Sequence, residues 1–103
     1  MNAHILENIR TLKRQLLPND RMILFGSQAR GDARADSDWD LLVLLNKDKS
    51  NFIEDNDNYG YPFTELGWNY GVAINPIVHT KKEWESHPSV LKYNVEHEGI
   101  EIN

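Results

Sequence analysis

Residues Asp38–Leu45 read Asp-Trp-Asp-Leu-Leu-Val-Leu-Leu, a run whose apolar residues occupy both faces once side chains alternate along a strand. A strand that is apolar on both sides lies in the interior of its sheet. A second short run, Arg21-Met22-Ile23-Leu24-Phe25, is closed by Gly26 and reads as a buried strand as well. These two runs set the frame, and the other segments are read against them. Ile5, Leu6, Ile9, Leu12 and Leu16 fall on one helical stripe, with Asn2 placed to cap it and Pro18-Asn19-Asp20 to stop it. Asn46–Gly60 is the most polar stretch and reads as an exposed, mobile loop or edge excursion. Tyr61–Tyr70 has helical spacing, Pro62 suits a first turn, and Gly71 ends it. Val72–His79 reads as a third strand, and Pro76 puts that strand at an edge or bulges it there. Thr80 with Glu83 forms a capping-box pattern, Pro88–Glu98 a last helix closed by Gly99, and Ile100–Ile102 an extended tail.

Composition removes several classes of function. At 103 residues, 40% hydrophobic and 26% charged, the chain has the content of one globular domain, expected to span residues 1–103. The absence of cysteine excludes thiolate metal sites, disulfide scaffolds and cysteine nucleophiles. The longest apolar run, Leu41–Leu45, is far short of a membrane span, and no signal peptide is visible at Met1-Asn2-Ala3-His4, so a cytoplasmic location is expected. The formal charge of -5 is unevenly placed: six basic residues balance six acidic ones up to Leu45, whereas five face ten from Asn46 onward. That bias disfavours binding of extended nucleic acid, which needs phosphate neutralisation, but leaves a single nucleotide in a local pocket open. The four histidines are scattered without metal-ligand spacing, and no Gly-x-x-x-x-Gly-Lys-[Ser/Thr] loop is present.

The chemistry lies between the two buried runs. Asp38 and Asp40 point to the same side of their strand, about 7 Å apart at the backbone. Two ionised carboxylates that close repel each other and lose water, so a cation between them is the comfortable arrangement. Hard oxygen ligands with an incomplete shell suit Mg²⁺, which completes its octahedron with water and phosphate. At the end of the preceding strand, Gly26 allows a close backbone approach and Ser27 brings a hydroxyl and a free amide. Arg30 adds a charged fork for phosphate, and Gly31 permits a tight turn. If the two strands are neighbours, phosphate seat and metal seat face each other, as phosphoryl or nucleotidyl transfer requires.

Gly26-Ser27, ten intervening residues and Asp38-x-Asp40 together resemble the DNA polymerase beta-like nucleotidyltransferase superfamily. The longer stretch GSQARGDARADSDWDLLV, Gly26–Val43, is similar to the minimal nucleotidyltransferase (MNT) family of small prokaryotic proteins. The resemblance implies a small mixed β-sheet in an α+β fold, with helices mainly on one face. It implies that Asp38 and Asp40 are catalytic, metal-binding carboxylates, and that Gly26, Ser27 and Arg30 bind the nucleotide. The cofactor set would be Mg²⁺, two ions with bound nucleotide, and ATP would be the substrate. The reaction would move a nucleoside monophosphate, AMP from ATP, to a hydroxyl of a protein or small molecule. Many relatives of this kind pair with a HEPN-domain protein as antitoxin and toxin. A chain this short leaves little room for an acceptor-binding domain, so such a partner, or a homo-oligomer, is expected to complete the site.

The family usually supplies a third carboxylate from the next strand, ligating the metal and often taking the acceptor's proton. Here that strand reads Val-Ala-Ile-Asn-Pro-Ile-Val over Val72–Val78, so Asn75 or Ala73 takes the position, with Glu65 a loose substitute. An amide ligates weakly and is no base at neutral pH. A competing expectation is therefore a catalytically weakened nucleotide- or partner-binding module that neutralises its partner by contact.

Overall fold

The computed structural model describes residues 1–103 as a four-stranded mixed sheet flanked by helices. Helix α1 (Ala3–Leu16) starts where the sequence placed it, because the Asn2 side chain accepts from the His4 and Ile5 amides. Its stripe buries Ile5 and Ile9 and lays Leu6, Leu12 and Leu16 against the core. Strand β1 (Arg21–Phe25) is followed by one helical turn, α2 (Ser27–Arg30), and by β2 (Trp39–Leu45). A crossover through α3 (Phe52–Asp55), a π-helical turn at Asn56–Gly60 and α4 (Tyr61–Tyr70) leads to β3 (Ile74–Thr80). Helices α5 (Lys81–Ser86) and α6 (Val90–Glu98) then precede the short strand β4 (Ile100–Glu101).

The sheet order is β3-β2-β1-β4. β1 lies antiparallel to both β2 and β4, and β2 lies parallel to β3. The doubly apolar β2 is interior, as its composition requires, and β3 is an edge strand on which Pro76 leaves no ladder bond unmade on its outer side. One face packs Met22, Leu24, Trp39, Leu41, Val43 and Ile74 beneath α1 and α4, in the larger core cluster. The other face carries Ile23, Phe25, Leu42 and Leu44 under Trp84 of α5 and Val95 of α6, a smaller cluster. Helix packing is thus heavier on one face, as expected. The Thr80–Glu83 capping box is present with both reciprocal bonds.

The Asn46–Gly60 segment departs from its reading as a loop. It is largely helical, and the reason lies in polar side chains that bond the backbone rather than solvent. Asn51 caps α3 by accepting from the Glu54 amide, Asn56 donates to the Phe52 carbonyl, and Asp55 is buried. Asp55 accepts from Lys47 Nζ at 2.6 Å and from the Asn51 amide at 2.9 Å. No helix of the chain is long and apolar enough to cross a membrane.

Candidate active site

The register brings three strand ends together at one end of the sheet. Antiparallel pairing sets Phe25, the last residue of β1, opposite Asp40. Parallel pairing sets Asp40 opposite Asn75, and the Trp39 amide donates to the Ala73 carbonyl at 2.9 Å. Trp39 turns into the core while Asp38 and Asp40 project on the other side, toward the smaller cluster and beyond its cover.

Asn75 stands between the two carboxylates. Its Nδ2 donates to Asp38 Oδ2 at 3.0 Å and to Asp40 Oδ1 at 3.3 Å. One amide nitrogen with two hydrogens thus satisfies both anions, occupying the place where a cation between them would lie. The third strand position is held by Asn75 and not by Ala73, which contributes only its carbonyl to the ladder. Glu65 lies on the exposed side of α4 and bonds to none of these residues.

Gly26 packs directly against Asp40. Its φ of 75° belongs to the region that side chains avoid, and a Cβ there would collide with Asp40 Oδ2. The turn therefore brings main chain to the edge of the carboxylate pair, which no other residue type would permit. Ser27 follows, half-buried, and its hydroxyl has no intramolecular partner. The Ala29 and Arg30 amides both bond back to the Gly26 carbonyl and the Gly26 amide donates to Glu98 Oε1, so the Ser27 and Gln28 amides at the start of α2 are the ones left without a carbonyl in the turn. The four-residue α2 is too short to contribute a helix dipole of consequence, so these amides and the hydroxyl are what the segment offers an anion.

Arg30 is exposed and held by two carboxylates. Nε donates to Asp32 at 3.3 Å and Nη1 to Glu98 at 3.2 Å. The bonds to Glu98 and then Asp32, with the charge of Asp32, hold its pKa above the ordinary arginine value.

Two residues near the site were not singled out from sequence. Gln28, buried, donates Nε2 to the Ser37 carbonyl at 3.2 Å and so ties α2 to the residue preceding Asp38. It lies inside the motif, where its spacing from Ser37 was visible but its inward orientation was not. Glu98 is the other, and nothing local marked it: the register of β4 alone brings it to Gly26.

No group of three His, Cys, Asp or Glu side chains forms a ready metal cluster. The donor set is instead two carboxylates plus an amide whose oxygen comes forward on a simple rotation of the side chain. Three hard oxygens on one side, with the rest of the shell open, fit Mg²⁺ and leave places for water and phosphate.

The model of the nucleotidyltransferase domain family matches residues 6–100. Two Methanocaldococcus jannaschii proteins carrying the provisional name protein adenylyltransferase are similar. MJ0604 is 36% identical over 70% of this chain and 71% of its own length. MJ0141 is 37% identical over 60% of this chain and 61% of its own. Among solved structures, a toxin–antitoxin with AMP-PNP superposes with a TM-score of 0.67 at 21% identity, covering 100% of this chain and 73% of that one. A chain provisionally described as a minimal nucleotidyltransferase gives 0.57 at 27% identity, with 92% and 93% covered.

Proposed function

The chain belongs to the nucleotidyltransferase domain family and is a nucleotidyltransferase, and from that premise we propose that it is a Mg²⁺-dependent adenylyltransferase acting on a protein hydroxyl. It would do so as one domain spanning residues 1–103, in the cytoplasm, where ATP and Mg²⁺ are abundant. The observation that carries this reading is the convergence of Asp38 and Asp40 on a single amide nitrogen, directly beside the Gly26 turn.

Asp38 and Asp40 hold Mg²⁺ in this reading, with Asn75 Oδ1 available as a third, weaker ligand once its side chain rotates. Bound there, the metal would supply positive charge against the triphosphate. Gly26 lets the terminal phosphates approach the main chain closely, the Ser27 amide and free hydroxyl seat them, and Arg30 adds positive charge at their edge. The acceptor oxygen attacks the α-phosphorus of ATP, the bond to the β-phosphate breaks, and pyrophosphate leaves. The acceptor's proton passes to solvent, which reaches the exposed Asp38 and Asn75, because an amide cannot accept it. The protein's contribution is position and charge rather than covalent chemistry.

The name of the similar MJ0604 supports a protein acceptor and the toxin–antitoxin fold neighbour a partner protein, and a HEPN-domain partner is the acceptor we propose. The test is transfer of label from α-labelled ATP with Mg²⁺ to a HEPN partner encoded beside this chain. Label should appear on the partner and vanish in the Asp38→Asn/Asp40→Asn variant. Label that survives the double change rules out this site. Asn75 in the third position favours a second reading, a module that binds nucleotide or partner without transfer. That reading predicts partner binding indifferent to Asp38 and Asp40 and no pyrophosphate release.

A further inference from the structure

Glu98 is the last residue of α6, yet its carboxylate serves the opposite end of the motif. Oε1 accepts from the Gly26 amide at 3.2 Å, and Oε2 and Oε1 accept from Arg30 Nη1 at 3.2 and 3.4 Å. The register explains the first contact. β4 pairs Ile100 with Leu24 and Glu101 with Ile23, so continuing the antiparallel ladder would set residue 98 opposite Gly26. The chain leaves the strand at Gly99, where a Cβ would collide with the Val95 carbonyl and Ile23. The Glu98 side chain therefore supplies the acceptor that a longer β4 would have supplied from its backbone.

The two sides of Gly26 are thus used differently. Backbone groups two residues apart on a strand face the same edge, and the Ile102 amide donates to the Met22 carbonyl, so the Gly26 amide faces β4. The position where a side chain would stand faces Asp40. Glu98 consequently sits behind the turn, outside the space between Gly26 and the aspartates. It is half-buried, whereas Arg30 is exposed with Nη2 unengaged. Held at Nε by Asp32 and at Nη1 by Glu98, the guanidinium is fixed on both sides, and Nη2 between them is left free.

We infer that Glu98 is a positioning residue for nucleotide binding: it braces the Gly26 turn from the β4 side and fixes Arg30 so that its free Nη2 meets the phosphates. The inference rests on the nucleotide-binding role proposed above for Gly26, Ser27 and Arg30. A flexible arginine loses several rotors on binding phosphate, and a carboxylate that has already fixed them removes that cost. It differs from a plug, which would occupy the phosphate seat and compete with ATP.

The test is calorimetric titration of ATP with Mg²⁺ into the wild type, Glu98→Gln, Glu98→Asp and Arg30→Ala, and into Arg30→Ala/Glu98→Gln. Glutamine keeps an acceptor for the Gly26 amide, so the fold is expected to persist, with melting temperature as the check. Glu98→Gln should weaken ATP by about tenfold, as expected for one disordered charge-assisted contact. Glu98→Asp should recover most of that, and Glu98→Gln should add less than about twofold in the Arg30→Ala background, because the effect acts through Arg30. Equal affinity in wild type and Glu98→Gln overturns the inference and leaves the proposed function standing. Tighter binding in Glu98→Gln overturns it in favour of a plug. A wild type that binds no nucleotide overturns the proposed function and the inference with it.

Discussion

Replacing Asn75 by aspartate separates the two readings of the site most sharply. In the wild type one Nδ2 lies 3.0 Å from Asp38 Oδ2 and 3.3 Å from Asp40 Oδ1. Asn75→Asp puts a carboxylate oxygen there and turns two attractions into two repulsions. Even with water's full dielectric each like-charge contact at that range costs about 1 kcal/mol. The two exposed hydrogen bonds that vanish are each worth about 0.5 kcal/mol, because water replaces them well. After the side chains have splayed, a net loss of about 2 kcal/mol is expected, roughly 10 °C in melting temperature for a domain of this size. Saturating Mg²⁺ should reverse the sign, since three carboxylates bind the ion more tightly than two and an amide, and tighter binding stabilises by mass action. The variant should also transfer AMP faster, by about a hundredfold if the new carboxylate takes the acceptor's proton. The assay is a thermal melt with and without Mg²⁺, beside the label-transfer rate. A variant that melts like the wild type in chelator, or whose melt ignores Mg²⁺, refutes the reasoning.

Two other outcomes follow. Gly26→Ala forces a side chain into a positive-φ position and against Asp40 Oδ2, so it should cost about 2 kcal/mol in chemical denaturation and abolish transfer. Acid sensitivity has identifiable sources. Burial pushes the Asp55 carboxyl up, but hydrogen bonds from Lys47 and Asn51 and the charge of Lys47 outweigh it and hold it below its ordinary value. The Thr80 amide, against the cost of burial, with the Thr80 and Ser50 hydroxyls, does the same for Glu83. Both groups are depressed in the folded chain, so their stabilisation is present above the ordinary carboxylate range and is lost as pH falls through it toward their folded values. The melting temperature should stay nearly flat from pH 7 to about 5 and fall below about 4, with a shallower fall in Asp55→Asn. An equally steep fall in that variant would clear Asp55.

Legibility in the sequence followed the range of the interactions. α1, β1, β2, α4 and the capping box were readable because each is specified by its own periodicity and caps. Pro76 narrowed β3 to an edge or a bulge, and the sheet order decides for the edge. Asn46–Gly60 was not, because Phe52 and Ile53 stand outward at 76% and 73% exposure and supply no apolar stripe. Its helices depend on Asn51, Asn56 and the pairing of buried Asp55 with exposed Lys47, polar residues that look the same in a solvated loop. The carboxylate pair and the Gly26 turn were legible because motif and spacing are local, and the Asn75 departure because its strand was. Glu98 was illegible: it reaches Gly26 across 72 positions of chain, through a two-residue strand whose register no local pattern announces.

The most direct measurement is calorimetric titration of ATP into the wild type in Mg²⁺ and in chelator, with the Asp38→Asn/Asp40→Asn variant alongside. Binding should be present in Mg²⁺, and absent both in chelator and in the double variant. ATP held equally well without the metal, or without the two carboxylates, would contradict a site in which Asp38 and Asp40 join the nucleotide through a divalent ion.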